Sequence, residues 1–287
     1  VDRVMEEVDY NFKDTVFSFV PNTAEASFFG MIKEGESKLN EWRKRKILKM
    51  GDKIKEKELD RILNRRLRIE KIVVKDAKLR TFIADDSSRG ELISHVYDVT
   101  YGIVKNEKDT LVLIDDSIVR GATLRDSILK IVARLRPKKI VVVSSAPQIR
   151  YPDCYGIDMS KMKEFVAFQA LVALLEEHGK TKLLKKAFKK AKKQLKMPDN
   201  KIVNVVQDLY AEFDYDEVSD KIAEIITPEG IKPKIKVIYQ TVKALKKACP
   251  NNDGSWYFDG NYPTPGGMRV VNRAFINYME NSNARAY

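Results

Sequence analysis

The chain has 287 residues, 44% of them hydrophobic and 33% charged, with 53 basic against 41 acidic side chains and a formal net charge of +12. That is enough apolar sequence for one large α/β domain or a domain with an appendage; the basic excess suits nucleic acid, an anionic surface, a highly anionic small molecule or a solvated lysine face. Two cysteines without a CxxC spacing exclude a disulfide scaffold and a cysteine-rich metal site, and no apolar run approaches the ~20 residues of a membrane-spanning helix.

The start, Val1 to Glu7, is too charged for a signal peptide, so a cytoplasmic protein is expected. Because the first residue is Val, the chain reads as a piece of a longer polypeptide. Thr15 to Val20 is β-branched and aromatic and predicts a strand. Pro21, Asn22, Thr23, Ala24 and Glu25 then turn into a helix beginning near Ala26. Gly35 to Arg68 predicts charged helices with a break at Gly51 and Asp52. Arg61, Arg65, Arg66 and Arg68 read as a solvated basic face. Ile69 to Val74 and Leu79 to Ile83 predict short strands. His95 has no partner in the sequence and reads as structural, not as a general base.

Leu111 to Asp115 is an apolar run ending in a carboxylate, the pattern of a central parallel strand buried on both faces. The spacing of Leu124, Ile128, Ile131, Val132 and Leu135 predicts a helix after it. Lys139 to Ser145 is a second buried strand. Lys163 to Leu195 predicts helix, broken at Gly179. Its first half is apolar nearly all round and should be buried. Its second half carries nine lysines between Lys180 and Lys196, with a stripe of Leu184, Ala187, Phe188, Ala191 and Leu195. That pattern reads as one packed face with a solvated back. Ile235 to Ala248 predicts another helix, and Asn251 to Gly267 is irregular, glycine-rich and aromatic. The fold class expected is α/β, with a mostly parallel central sheet flanked by helices and a helical insertion. The domain reading is a core over residues 1–160, a helical extension over 161–250 and a carboxyl-terminal segment over 251–287 packing near the active site.

The stretch DDSIVRGAT, residues 115–123, carries the chemistry. It lies where a strand turns into a helix, the place where open α/β sheets bind ligands. Free backbone N–H groups and the helix dipole favour a phosphate there. Gly121 allows close backbone approach, and Ser117 and Thr123 add hydroxyl donors. Asp115 and Asp116 cannot grip phosphate; carboxylates suit sugar hydroxyls or a magnesium ion bound to the substrate. An acid pair followed by a phosphate cradle suggests a ligand with both a ribose and a 5-phosphate.

This string resembles the phosphoribosyl pyrophosphate (PRPP) signature of the phosphoribosyltransferases, and its form is similar to that of the amidophosphoribosyltransferases. Three further strings follow the family's order: Arg80-Thr81-Phe82-Ile83, resembling the loop that closes over PRPP; Ile149-Arg150-Tyr151-Pro152 with Tyr155-Gly156-Ile157-Asp158-Met159; and Phe258 to Thr264, FDGNYPT. The resemblance implies a type I phosphoribosyltransferase fold. It implies that Ser117, Ile118, Val119, Arg120, Gly121, Ala122 and Thr123 hold the 5-phosphate. Pro21, Asn22, Thr23, Ala24, Glu25 and Arg80 would hold pyrophosphate, and Asp115, Asp116 and Thr23 would hold magnesium. Asn22-Thr23 stands where relatives often have Asp-Ser, so a charge is missing beside the metal. Arg80, Asp115 and Asp116 would be the catalytic set.

The reaction implied is displacement of pyrophosphate from PRPP by ammonia, giving 5-phosphoribosylamine in purine synthesis. The family's glutaminase domain is not within this chain and is expected in the full-length protein. Cys154 and Cys249 are too few for the four thiolates of an iron–sulfur cluster, so none is expected. A homo-oligomer is expected; membrane and nucleic acid are not expected partners. The rival reading is a non-catalytic module that senses PRPP, with RNA contacts through Lys180 to Lys196.

Overall fold

The computed structural model describes residues 1–75, 97–154, 159–252 and 254–286. They form two compact units, one of residues 1–116, 122–145 and 227–238, the other of residues 117–121, 146–226 and 239–287.

The first unit is built on strands β1 (Thr15–Phe19), β2 (Arg68–Ile69), β3 (Val73–Lys75), β4 (Tyr97–Val99), β5 (Thr110–Asp115), β6 (Lys139–Ser144) and β7 (Lys234–Tyr239). Five of them make one sheet in the order β2-β1-β5-β6-β7, and β3 and β4 form a separate antiparallel pair. Pairings β1 with β2, β1 with β5 and β5 with β6 are all parallel. The two apolar runs of the sequence are thus adjacent central strands. Leu111 to Leu113 and Ile140 to Val142 are fully buried, as a parallel sheet covered on both faces requires. Alternation along the strands sorts side chains to two faces. One face takes Phe17, Phe19, Val112, Ile114, Val141 and Val143. It packs on Met5 of α1 (Asp2–Glu7) and on Phe28, Met31 and Leu39 of α2 (Glu25–Met50).

The helical expectation for Gly35 to Arg68 holds as far as Leu63: α2 ends at Met50, Gly51 caps it at φ +51°, and α3 (Glu56–Leu63) comes next. Arg68, however, opens β2 rather than ending a helix. Its guanidinium bonds the buried Asp109 carboxylate at 2.8 Å and the Ile103 carbonyl at 3.0 Å. Asp109 also accepts the Lys105 N–H at 2.8 Å. This ion pair ties the edge strand to the entry of β5.

Residues 235–239 do not begin the helix that their spacing predicts. Lys234-Ile235-Lys236-Val237-Ile238-Tyr239 is β7, and the helix starts only at Val242. Alternating lysines and β-branched residues fit the edge of a half-buried sheet. Thr241 caps the helix through its Oγ1, which accepts from the Ala244 N–H.

The second unit is helical. Its helices include Val166–Glu177, Lys182–Gln194, Tyr215–Ile226 and Pro265–Met279. As expected, the first is apolar on most sides and largely buried. The lysine-rich helix buries Leu184, Ala187 and Ala191, with Phe188 and Leu195 half-buried. Its Lys192 pairs with Glu280 at 2.7 Å and Lys190 with Asp208, so part of its charge is spent inside the unit.

Removing Arg68 leaves the Asp109 carboxylate buried without a counter-charge. Arg68→Met is expected to lower the unfolding free energy by about 3 kcal/mol, measured as a shift of the urea midpoint at unchanged m-value. A midpoint within the error of wild type would show that the pair carries no net weight.

Candidate functional site at the carboxyl end of the central strand

Within the first unit, β1 and β5 run side by side, with Phe19 opposite Ile114. The Val20 N–H continues the ladder to the Ile114 carbonyl at 2.9 Å. The turn Pro21 to Ala24 therefore leaves the sheet at the same edge as Asp115 and Asp116. In that turn Pro21 and Ala24 are buried, whereas Asn22, Thr23 and Glu25 are exposed. The Pro21–Asn22 peptide is cis. The turn is fixed from below by its apolar members and presents its polar ones to solvent.

Asp115 is the last residue of β5 and Asp116 the first beyond it. The Asp116 N–H donates to Asp115 Oδ1 at 2.9 Å. Ser145, just past β6, holds both acids by their backbone. Its N–H donates to the Asp115 carbonyl at 2.9 Å, and its hydroxyl donates to the Asp116 carbonyl at 3.1 Å. Burial, reinforced by the adjacent Asp116, pushes the Asp115 carboxyl up to about 8, against an ordinary value of 3.8. A nearby carboxylate and burial both disfavour the charged form, and a cation or hydrogen-bond donor would offset that.

Tyr97, the first residue of β4, is raised above its usual range by burial and then by the charges of Asp115 and Asp116. Its phenol thus lies within their electrostatic reach. Neither Tyr97 nor Ser145 is among the residues that the sequence singles out. Ser145 adjoins an apolar strand and could have been found from its place beside β5; Tyr97 sits in a stretch with no pattern of its own.

Residues 117–121 belong to the second unit. The Val166 N–H donates to the Val119 carbonyl at 2.9 Å, and Arg120 pairs with Glu164 at 2.8 Å. Ile118 is buried at 2% exposure. Gly121 has φ +72°, and a Cβ there would lie 2.7 Å from the Ile226 methyl. Both reasons demand glycine. Ala122 and Thr123 lead into a helix that opens with a π turn, Leu124–Ile128, and continues as Leu129–Ala133. The expected strand–turn–helix is present, with Ser117 half-buried and Thr123 exposed.

Two more of the singled-out strings meet inside the second unit. The Tyr262 hydroxyl donates to the Pro152 carbonyl. Gly260, at φ +76°, packs so closely that a Cβ would lie 2.8 Å from the Tyr151 ring and 2.5 Å from Asn204. Arg150 lies over the rings of Tyr210 and Tyr215, at 4.5 and 5.0 Å. Burial raises Tyr151 to about 12, opposed by the Arg150 charge. Arg80-Thr81-Phe82-Ile83, His95 and Tyr155 to Asp158 lie outside the described residues.

Among the described residues no group of three or more His, Cys, Asp or Glu side chains could hold a metal ion. The acid pair supplies two carboxylates whose mutual repulsion a divalent cation would relieve. That donor set fits a hard cation held chiefly by substrate oxygens and water. Among the described residues no helix is long and apolar enough to cross a membrane.

No family model matches the chain. Parts of it are similar to curated proteins named amidophosphoribosyltransferase. That of Haemophilus influenzae is 41% identical over 90 residues, covering 31% of this chain and 17% of the relative. That of Escherichia coli is 44% identical over 57 residues, 20% and 11% of the two chains. That of Methanocaldococcus jannaschii is 38% identical over 93 residues, 31% and 18%. Among solved structures, a glutamine phosphoribosylpyrophosphate amidotransferase from B. subtilis, complexed with ADP and GMP, aligns over 88% of this chain and 38% of its own, with 18% identity and a TM-score of 0.45. An allosteric regulatory enzyme of purine biosynthesis aligns over 87% and 37%, with 19% identity and a TM-score of 0.47. The chain spans between 11 and 18% of the length of the three curated relatives.

The geometry makes two measurable demands. Gly121→Ala should cost roughly 2 kcal/mol or more, since it strains φ and meets Ile226; a thermal midpoint equal to wild type would contradict the close approach. The raised Asp115 carboxyl means that the folded protein holds this proton more tightly than the unfolded chain. Its contribution to stability is therefore complete below about pH 4 and is lost as pH rises toward 8, by at most roughly 1.4 kcal/mol per pH unit. Asp115→Asn should flatten that decline in urea unfolding between pH 5 and 8. Parallel profiles for the two proteins would rule the shift out.

Proposed function

We propose that this chain is the phosphoribosyl-transfer part of an amidophosphoribosyltransferase, which displaces pyrophosphate from PRPP with ammonia to give 5-phosphoribosylamine. The observation that carries this reading is the acid pair Asp115-Asp116 at the carboxyl end of a buried strand, running directly into a turn pinned by Gly121. The local similarity to amidophosphoribosyltransferases supports it. The relatives carry an enzyme's name, and nothing favours the non-catalytic, PRPP-sensing alternative.

In this reading Asp115 and Asp116 accept hydrogen bonds from the ribose 2- and 3-hydroxyls. Backbone N–H groups of residues 117–121, with the Ser117 and Thr123 hydroxyls, take the 5-phosphate at the start of a helix. The turn Pro21 to Glu25 holds pyrophosphate, together with Arg80. The nitrogen lone pair of ammonia forms the new bond to C1. The C1–O bond breaks with its electron pair leaving on pyrophosphate, and the amine nitrogen then gives up a proton. As that bond stretches, positive charge builds on the sugar ring. The acid pair, whose backbone Ser145 holds, would favour that charge. Asp115, Asp116 and Thr23 would hold Mg2+, which would supply positive charge for the departing pyrophosphate. The remaining gain comes from holding both reactants in line.

The proposal includes a cytoplasmic homo-oligomer and assigns glutamine hydrolysis to a separate domain of the full-length protein. It leaves the lysine-rich helix a structural role, as its ion pairs within the second unit support.

Asp115→Asn combined with Asp116→Asn is expected to reduce pyrophosphate release from PRPP and ammonium by at least a thousandfold, with the fold retained by circular dichroism. Release near the wild-type rate from the folded double variant would sink this assignment.

A further inference from the structure

A second concentration of charge lies in the first unit, at the opposite rim of the sheet from the acids. A cavity of about 380 Å³ is lined by Lys13, Arg61, Arg65, Arg66 and Arg68, with Asn64 on its wall and Phe12 beneath. None of its lining residues is acidic. Arg68 alone of the five cations has an ion-pair partner among the described residues, the buried Asp109. Four positive charges therefore face one concavity without a carboxylate to balance them.

Lys13, Arg61, Asn64 and Arg66 are exposed, but Arg65 and Arg68 are half-buried and the floor is buried. Phe12 is 2% exposed and belongs to the core. Arg68 anchors its side toward Asp109, and its Nη1 also donates to the Lys13 carbonyl at 3.4 Å. Arg66 donates to the carbonyls of Leu63 at 2.7 Å and Arg65 at 3.1 Å, which folds the end of α3 back on itself. From behind, Arg43 of α2 donates to the Arg65 carbonyl, while its own Nε is buried without a partner. A further cation thus backs the cavity. Like charges gathered at one place favour the entry of an anion.

The place is distinct from the acid pair. Arg68 is the first residue of β2 and pairs with Val16, and Lys13 precedes β1, so the cavity sits at the amino-terminal ends of the parallel strands. Asp115 ends β5, six residues long and in register with β1. At ~3.3 Å per residue the two rims stand about 17 Å apart, too far for one phosphoribosyl compound to reach both.

We infer that this arginine-rimmed cavity binds a small polyanion carrying two or more phosphate groups. Guanidinium groups match phosphate oxygens in paired geometry, Asn64 adds an amide, and the volume falls in the range of small-molecule sites. A small polyanion is favoured over a nucleic-acid backbone because the cations line one compact depression of about 380 Å³.

The test uses the full chain saturated with PRPP and magnesium, so that the acid-pair rim is filled, and titrates inorganic tripolyphosphate by calorimetry. One saturable site is expected. Arg61→Gln with Arg66→Gln, both exposed, should weaken it at least tenfold while PRPP affinity stays within twofold. Lys182→Gln with Lys186→Gln, which removes the same charge from the lysine helix, should leave tripolyphosphate affinity within twofold. If the arginine pair fails to fold by circular dichroism, Arg61→Gln alone takes its place with an expected threefold loss. Absence of saturable binding to wild type overturns the inference. So does equal loss in the lysine variant, or retention of affinity in the folded arginine variant. Displacement of tripolyphosphate by a single-stranded oligonucleotide at lower concentration than by a nucleoside triphosphate would overturn it too, assigning the surface to nucleic acid.

Discussion

The structure turns on a half-buried carboxylate at the end of a strand that is otherwise buried. Leu111 to Ile114 of β5 are buried, and its last residue, Asp115, is half-buried while keeping a charge-bearing side chain. Asp116 comes at once after it, and Ser145 fixes the backbone of both. Burial and the neighbouring carboxylate disfavour the charged form of Asp115, and a proton, a cation or hydroxyl donors would each relieve that cost. An apolar strand is thus what turns two ordinary aspartates into a poised acceptor.

The turn beyond the acids is constrained just as tightly, but by packing. Gly121 cannot carry a side chain because Ile226 occupies the space. Val119 is held by a backbone bond to Val166, and Arg120 by Glu164. The carbonyl of Val119 and the side chain of Arg120 take part in fixing the turn. The same device recurs at Gly260, where Tyr151 and Asn204 crowd a left-handed glycine and bring the string around Arg150 beside the string around Tyr262. Strings far apart in sequence become one structure at positions that only glycine can fill.

How much of this is legible in the sequence depends on how local the signals are. Apolar runs at Leu111 and Ile140 announce central strands because burial on both faces leaves nothing polar to confuse the pattern. The turn after Asp116 is legible because acid, glycine and hydroxyl positions are each tied to a specific backbone need. β7 is not: Ile235, Val237 and Ile238 satisfy a helical spacing as well as a strand's, and only their β-branching and the alternating lysines favour a strand. Arg68 deceives for a similar reason, since four arginines near a helix end look like one solvated face. What decides its role is Asp109, forty-one positions later, and a pairing at that separation leaves no periodic trace. Ser145, Glu164 and Ile226 act on the acids or the turn from other elements, and no spacing rule reaches them.

The parallel sheet itself explains why charge is sorted by rim. Where neighbouring strands point the same way, their carboxyl ends open on one rim and their amino ends on the other. Asp115 and the turn after β1 occupy the first rim, Lys13 and Arg68 the second. A residue's place along its strand therefore decides which ligand field it joins, and a substitution that slid β2 by one residue against β1 would displace Arg68 from Asp109. The guanidinium is thus both the register pin of an edge strand two residues long and a wall of the basic cavity. A strand so short has few ladder bonds of its own, so the ion pair with Asp109 sets where the arginines before it must stand. The basic rim is in that sense a consequence of how the sheet closes its edge.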